Sequence, residues 1–168
     1  MTMARLILKA SAALLLVACV ACGKGKSPQA AAPDSIPGTT FRKDAVLTFS
    51  SSSGQTKATF DIEIAATEET TRQGLMYREK MEPGQAMLFD PQGLSRTPFW
   101  MKNTYIPLDI VFIGEDKKVM HIAGNTHPFS EDSIEPGGLY RYVLEINAGL
   151  AQKLNLNIGD TITWTNSD

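Results

Sequence analysis

The stretch IPLDIVFI, residues 106–113, decides the fold class of this chain. Apart from Asp109, its side chains from Leu108 onward are apolar on both alternating faces, which is typical of a strand buried on both sides. A second stretch, TFDIEI at residues 59–64, alternates strictly between polar and apolar side chains, which indicates a strand with one wet and one buried face. The sequence therefore predicts a sheet protein in which residues 106–113 form a central strand.

Further strands and two short helices complete the predicted architecture. Thr67 is placed to cap a helix that begins at Glu68, and Asn147 is placed to cap a second helix over residues 148–155. Because the strands do not alternate regularly with helices, the predicted class is α+β, mainly β: a compact antiparallel or mixed β-barrel or sandwich with two short helices. The remaining strand segments are residues 46–50, 118–123, 140–147 and 160–165.

The N-terminus has the pattern of an export signal. Arg5 and Lys9 precede an apolar stretch at residues 10–17, which is too short to span a bilayer, so residues 1–18 are predicted to be a signal peptide. The residues before Cys19 resemble the lipobox of bacterial lipoproteins, in which the cysteine receives a diacylglycerol and becomes the mature N-terminus. Cys22 is the competing acceptor. An ordinary cleaved signal with unmodified cysteines is the alternative.

The segment after the signal is predicted to be a lipidated N-terminus and flexible tether, residues 19–40, followed by a single β-rich domain, residues 41–168. The tether is rich in Gly, Ser, Pro and Ala, and about 18 such residues reach roughly 25 Å. The expected partner is the lipid bilayer, held through the acylated cysteine. Neither candidate cysteine has aspartate two positions later, which favours the periplasmic face of the outer membrane in a two-membrane cell.

The charge of the chain argues against several classes of partner and cofactor. The formal net charge is −2, and removal of residues 1–18 takes away two cations and no acid, which leaves −4. This balance indicates no nucleic-acid partner. His121 and His127 lack regular metal-ligand spacing, and no dinucleotide or phosphate-loop fingerprint occurs, so neither metal nor cofactor is expected.

Asp109 is the most informative acid, because a carboxylate on an otherwise apolar strand needs a basic or multiple N–H partner. Arg72, Arg78 and Lys102 are the candidate cations. Asp109 is either a structural acceptor of this kind or a general base with a raised pKa.

A second set of candidates surrounds residues 99–104, FWMKNT. Trp100, Lys102 and Asn103 combine an aromatic wall with a cation and an amide, which suits a small-ligand site; alternatively the aromatic residues are core and Asn103 serves the turn. Arg72 and Arg78 either clamp an anion or pair with acids of their own chain. Glu145 is expected on the polar face of its strand in a solvated cross-strand pair.

Several motifs together resemble the domain-of-unknown-function family 192. The resemblance implies a compact, mostly β domain that is often exported, and it implies no activity. The motifs are RQGLMYR at residues 72–78, MLF at 87–89, FWMKNT at 99–104, IPLD at 106–109, NT at 125–126, PFSEDSI at 128–134 and VLEINAG at 143–149.

These observations favour a membrane-anchored envelope lipoprotein whose domain binds a small molecule, a glycan or an envelope protein without catalysis. The alternative is an enzyme acting on an envelope substrate, with Asp109 as general base and Lys102 or Arg78 as electrostatic stabiliser. A third interpretation is that the motif residues mainly secure the fold.

Overall fold

A computed structural model of the chain describes residues 39–167. The predicted signal peptide, Cys19, Cys22 and most of the predicted tether lie outside the described residues, so those assignments remain predictions. Among residues 39–167, neither helix is long and apolar enough to cross a membrane.

Within the described part of the chain, seven strands form one mixed sheet. Its order is β5-β4-β6-β3-β2-β1-β7, and its pairings are antiparallel except that of β2 with β3. The parallel pair is possible because α1 and the loop after it cross over between the two strands. The elements are β1 Ala45–Ser50, β2 Thr56–Ala65, α1 Glu68–Gln73, β3 Gln85–Phe89, β4 Leu108–Ile113, β5 Val119–Ala123, β6 Tyr142–Asn147, α2 Leu150–Lys153 and β7 Thr161–Asn166.

The sheet curls so that its two edge strands meet at one end. The Val119 N–H donates to the Asp160 carbonyl at 2.8 Å, and Lys118 and Thr161 form an isolated antiparallel bridge. These contacts join the start of β5 to the start of β7 and make the sheet a half-barrel.

Each face of the curled sheet carries its own core. On β4, Val111 and Ile113 point inward, whereas Leu108, Ile110 and Phe112 point outward, as the two-residue strand period requires. Ala151 and Leu156, from α2 and the turn after it, belong to the inner core. The inner core also contains Ala45, Leu47, Phe49, Phe60, Ile62, Ala86, Leu88, Val119, Leu144, Ile146 and Ile162.

Leu75 and Met81, from the loop after α1, cover part of the outer core. The rest is covered by two long connections, residues 90–107 and 124–141. They are tied to each other where Phe99 and Ile134 exchange backbone hydrogen bonds of 3.0 and 2.8 Å. Ser95 and Tyr140 form a second such bridge. Within residues 39–167, the apolar face of the sheet on this side is therefore covered, and one of the covering connections carries the FWMKNT motif.

The predicted fold class is confirmed, and the predicted strands recur with bounds within a few residues. Thr67 caps α1 as expected: its side chain accepts the Thr70 N–H, and the Thr70 side chain accepts the Thr67 N–H in return. The predicted cap at Asn147 is wrong. Asn147 lies in β6, its side chain donates to the Met81 carbonyl at 2.8 Å, and α2 begins only after Gly149. Strand β3 was not predicted.

Candidate ligand-binding site

Asp109 is a backbone staple on the inner side of the sheet. It is 1% exposed, and its two carboxylate oxygens accept the backbone N–H groups of Asn125 and Ala151, each at 2.8 Å. The predicted cation partners are therefore wrong, because the two N–H donors satisfy the carboxylate instead. Asp109 borders a depression of about 420 Å³ at the end of the sheet, on the face opposite the FWMKNT segment.

Two tight turns on the outer side dock against each other. Asn103 occupies the third position of a turn closed by Thr104 N–H to Met101 carbonyl at 3.1 Å, and its φ of 54° suits asparagine there. Its amide donates to the Tyr77 hydroxyl at 2.8 Å, while its carbonyl accepts the Tyr77 N–H at 2.8 Å. Asn103 therefore supports this junction and does not line the cleft described below.

The second turn is residues 75–78, in which the Arg78 N–H donates to the Leu75 carbonyl at 3.3 Å, and the Arg78 side chain forms a buried ion pair. Its two terminal nitrogens contact the two oxygens of Glu63 at 2.5 and 2.7 Å, and both side chains are almost fully buried. The Nε of Arg78 has no hydrogen-bond partner among residues 39–167. Arg78 thus pairs with an acid of its own chain, one of the two alternatives expected from the sequence.

Glu145 lies beside this pair in an unusual environment. In register, Glu63 opposes Met87, and Met87 opposes Glu145, so both acids project from the outer face. Glu145 is only 5% exposed, and burial raises the pKa of its carboxyl to about 8, against the opposing effect of the Arg78 charge. The expected solvated cross-strand pair is wrong, because the connections over the outer core bury this strand face.

A cluster of aromatic rings builds a cleft next to Glu145. Phe99 packs edge-on against Phe89, Phe112 and Tyr140, with ring centroids 5.2, 5.8 and 6.2 Å away. These rings leave an apolar cleft of about 250 Å³, which we call the Trp100 cleft. It is lined by Thr71, Arg72, Phe89, Pro91, Ser95, Thr97, Pro98, Phe99, Trp100 and Tyr140.

A narrow extension of about 50 Å³ continues the Trp100 cleft toward the sheet. Arg72, Phe99 and Trp100 line both spaces, and the extension adds Lys102 and Glu145. Within the part of the chain that the structure describes, Glu145 is the sole acid that lines either space. The extension therefore brings two cations, one buried carboxyl and an aromatic wall to the same place.

Trp100 points away from the core, because Phe99, its neighbour in the bridged segment, points inward. Trp100 is 54% exposed, and the Lys102 ammonium lies 5.8 Å from its ring centroid. Arg72 is exposed on α1 and makes no ion pair within the described part of the chain. An aromatic surface with two cations at its rim can hold an apolar molecule and orient a polar group on it.

Of the candidates named from the sequence, Arg72, Trp100 and Lys102 come together at this cleft, whereas Asp109, Arg78 and Asn103 do not line it. Sequence reasoning missed Glu145 as a site residue. The available signal was a glutamate on a strand whose remaining residues are mostly apolar, YVLEIN. Residues 39–167 contain no cluster of three His, Cys, Asp or Glu side chains arranged to hold a metal ion.

Comparison with known proteins assigns the chain to a family. The model of the DUF192 family, described as "Uncharacterized ACR", matches residues 49–164. A Sinorhizobium meliloti 1021 protein of known crystal structure, provisionally described as a transcription regulator, is 36% identical, with a TM-score of 0.70 over 76% of this chain and 98% of that one.

A Novosphingobium aromaticivorans DSM 12444 protein of unknown function is 38% identical, with a TM-score of 0.69 over 84% of this chain and 100% of that crystal structure's chain. Among curated proteins, none is significantly similar to the chain. The family match spans most of the chain, and both solved structures share its fold and are 36% and 38% identical to it over the matched parts. The chain therefore belongs to the DUF192 family, whose function is uncharacterised.

Proposed function

We propose that the domain binds a small molecule in the Trp100 cleft and performs no catalysis there. The observation that carries this proposal is a half-exposed tryptophan over an apolar cleft, with Arg72 and Lys102 at the rim. An exposed aromatic surface beside convergent polar groups is the usual composition of a small-molecule site. A volume of about 250 Å³ suits a ligand smaller than a typical drug.

Catalysis with Asp109 as base is not part of the proposal. Asp109 points to the inner side of the sheet, and both of its oxygens are occupied by backbone N–H groups. Lys102 and Arg78, the proposed stabilisers, lie on the outer side. A substrate would have to reach both faces of the sheet at once.

The proposal also places the domain in the bacterial envelope, held to the membrane by an acylated cysteine. Its support is the sequence before residue 23: two cations, a short apolar stretch and a lipobox-like cysteine. Nucleic acid is not a proposed partner, since the mature chain is acidic. Two other kinds of ligand suit the same face. One is a glycan, which also stacks on exposed aromatic rings, and the other is an envelope protein.

A thermal-shift screen of small aromatic compounds, acids and glycan fragments tests the binding proposal. A ligand at 100 times its Kd raises the unfolding free energy by about 2.7 kcal/mol and therefore raises the Tm. We expect a compound that shifts wild type and Trp164→Phe, the control at the other tryptophan, but not Trp100→Ala. A compound that shifts Trp100→Ala as much as wild type contradicts binding at this cleft.

A further inference from the structure

The charges around the Trp100 cleft are unbalanced. Arg72 has no ion-pair partner within residues 39–167, and Lys102 has one long contact, 3.4 Å, to the exposed Glu131. Both cations border the 50 Å³ extension. A water molecule occupies about 30 Å³ in the liquid, so the extension has room for one small polar group. Two cations with little ion pairing of their own, placed beside such a space, favour the binding of a negatively charged group there.

Glu145, the acid at this position, does not supply the missing negative charge. Burial raises its pKa to about 8, so the carboxyl is mostly neutral at pH 7. The side chain makes no hydrogen bond to another residue of the described chain. A neutral carboxyl has an O–H that can donate, and here it borders the same space as Arg72 and Lys102.

We propose that the ligand of the Trp100 cleft is a small amphipathic monocarboxylate. Its apolar body packs against Phe99, Trp100 and Tyr140, and its carboxylate enters the extension between Arg72 and Lys102, where Glu145 donates a hydrogen bond to it. This inference rests on the proposed binding function and adds the chemical class of the ligand. A neutral ligand of the same shape would leave Arg72 without an ion-pair partner within residues 39–167 and Lys102 with only its long contact to Glu131, and a cationic ligand would be repelled.

Four probes separate the contribution of charge from that of shape. Phenylacetate has the proposed chemistry, phenylacetamide is its near-isosteric neutral counterpart, 2-phenylethylamine carries the opposite charge, and acetate lacks the apolar body. Binding is followed at pH 6.5 by tryptophan fluorescence of the full chain carrying Trp164→Phe, which leaves Trp100 as the reporter. We expect a Kd for phenylacetate at least ten-fold lower than for phenylacetamide, weaker binding of the amine, and no response to acetate.

Substitutions then assign the selectivity to residues. Lys102→Met and Arg72→Met should each bring the Kd of phenylacetate within about three-fold of that of phenylacetamide, because the charge that distinguishes the two ligands has been removed. Lys153→Met, which removes a cation on the distant helix α2, should leave the ratio unchanged. Equal changes for acid and amide in the Lys102 or Arg72 variant would mean that the side chain contributes contact area alone, and would overturn the inference.

Glu145→Gln tests the hydrogen bond, because glutamine keeps a donor and does not titrate. Wild-type affinity for phenylacetate should fall several-fold between pH 6.5 and 9 as Glu145 becomes charged, and the variant should not show this fall. The charged groups around Glu145 are Arg78, whose charge acts on its carboxyl and which pairs with Glu63, and Arg72 and Lys102, which line the same extension. A pH dependence that survives in Glu145→Gln comes from one of these groups and contradicts the role given to Glu145.

The outcomes for the two proposals differ. If phenylacetate and phenylacetamide bind equally well, the cleft is a binding site and the proposed ligand class is wrong. If none of the three aromatic probes alters the fluorescence, both proposals are contradicted for compounds of this size: the monocarboxylate ligand and small-molecule binding at the Trp100 cleft.

Discussion

Burial of the Glu145 carboxyl makes the stability of the domain depend on pH. The ordinary pKa of a glutamate is 4.5, and in the folded chain that of Glu145 is raised to about 8, so between these values the native state holds a proton that the unfolded state releases. The free energy of unfolding therefore falls as pH rises from about 4.5 to 8 and levels off above this range.

Glu145→Gln should remove this fall in the free energy of unfolding, because glutamine does not titrate. One pKa unit corresponds to about 1.4 kcal/mol, so we expect the variant to gain roughly 2–4 kcal/mol relative to wild type between pH 5 and 8. Urea unfolding at pH 5, 6.5 and 8 measures the difference. Glu135→Gln, at an exposed position, is the matched control and should follow wild type at each pH. A constant difference between Glu145→Gln and wild type would show that Glu145 does not titrate in this interval.

Asp109 should be important for stability and unimportant for binding. Asp109→Asn keeps one oxygen acceptor but turns an amide group toward the N–H of Asn125 or Ala151, which leaves a buried donor unsatisfied. We expect a loss of about 2–4 kcal/mol in urea unfolding, with phenylacetate affinity unchanged in the folded protein. Asp116→Asn, in an exposed turn, serves as control. If Asp109→Asn is as stable as wild type, the two backbone hydrogen bonds of Asp109 do not stabilise the fold as described.

The difference between these two acids explains what the sequence could predict at residue scale. Asp109 is conspicuous because all its strand neighbours are apolar, and so its burial follows from the pattern. The face of β6 that carries Glu145 is buried by residues 71–76 and 99–104, which are far away in sequence. A strand pattern reports which side chains share a face, but not which distant loop covers that face.

Gly74 is the C-cap of helix α1 and packs against the ring of Phe89. A substitution at Gly74 should therefore affect both the end of the helix and the wall of the Trp100 cleft. Gly74 has φ of 47°, and a Cβ there would lie 3.2 Å from the ring of Phe89. Gly74→Ala should cost about 1–2 kcal/mol through the left-handed backbone conformation alone, with added strain from the ring contact. Phe89 lines the Trp100 cleft, so probe affinity should fall as well.

Gly93→Ala is the control for this substitution, measured by the same urea unfolding. Gly93 does not have a positive φ, and no atom of residues 39–167 lies within 4 Å of the added Cβ. The reduced freedom of the unfolded chain should make this variant neutral or up to about 1 kcal/mol more stable. Equal losses in the two variants would contradict the specific strain at Gly74.

Elements with a long or regular pattern were predictable, and short ones were not. Strand β2 was recognised by its alternation and β4 by its apolar run. Strand β3 is five residues, QAMLF, and four of them are buried, so neither period stands out. Helix α2 is a single turn with no side-chain cap, and its position is set by the inner core and by Asp109.

At the scale of the whole molecule, the proposed anchor predicts a lipid-modified chain. Metabolic labelling with a fatty acid and intact-mass measurement should detect acyl chains on Cys19 and the loss of residues 1–18. Cys19→Ala should lose the label; if it remains, Cys22 is the acceptor. The double substitution should leave the protein in the soluble fraction. Continued fractionation with membranes in that double variant would refute lipid anchoring.

The position of β7 in the sheet has a consequence for biosynthesis. Strand β1 pairs with β7 along its whole length, Ala45 opposite Asn166, so the first strand gains its second neighbour only when the last strand has been made. Contacts between such distant parts of the chain slow folding, because a long loop must close before they form. A nascent chain of this topology therefore remains incompletely folded until β7 has been synthesised, and the proposed export would act on the chain in that state.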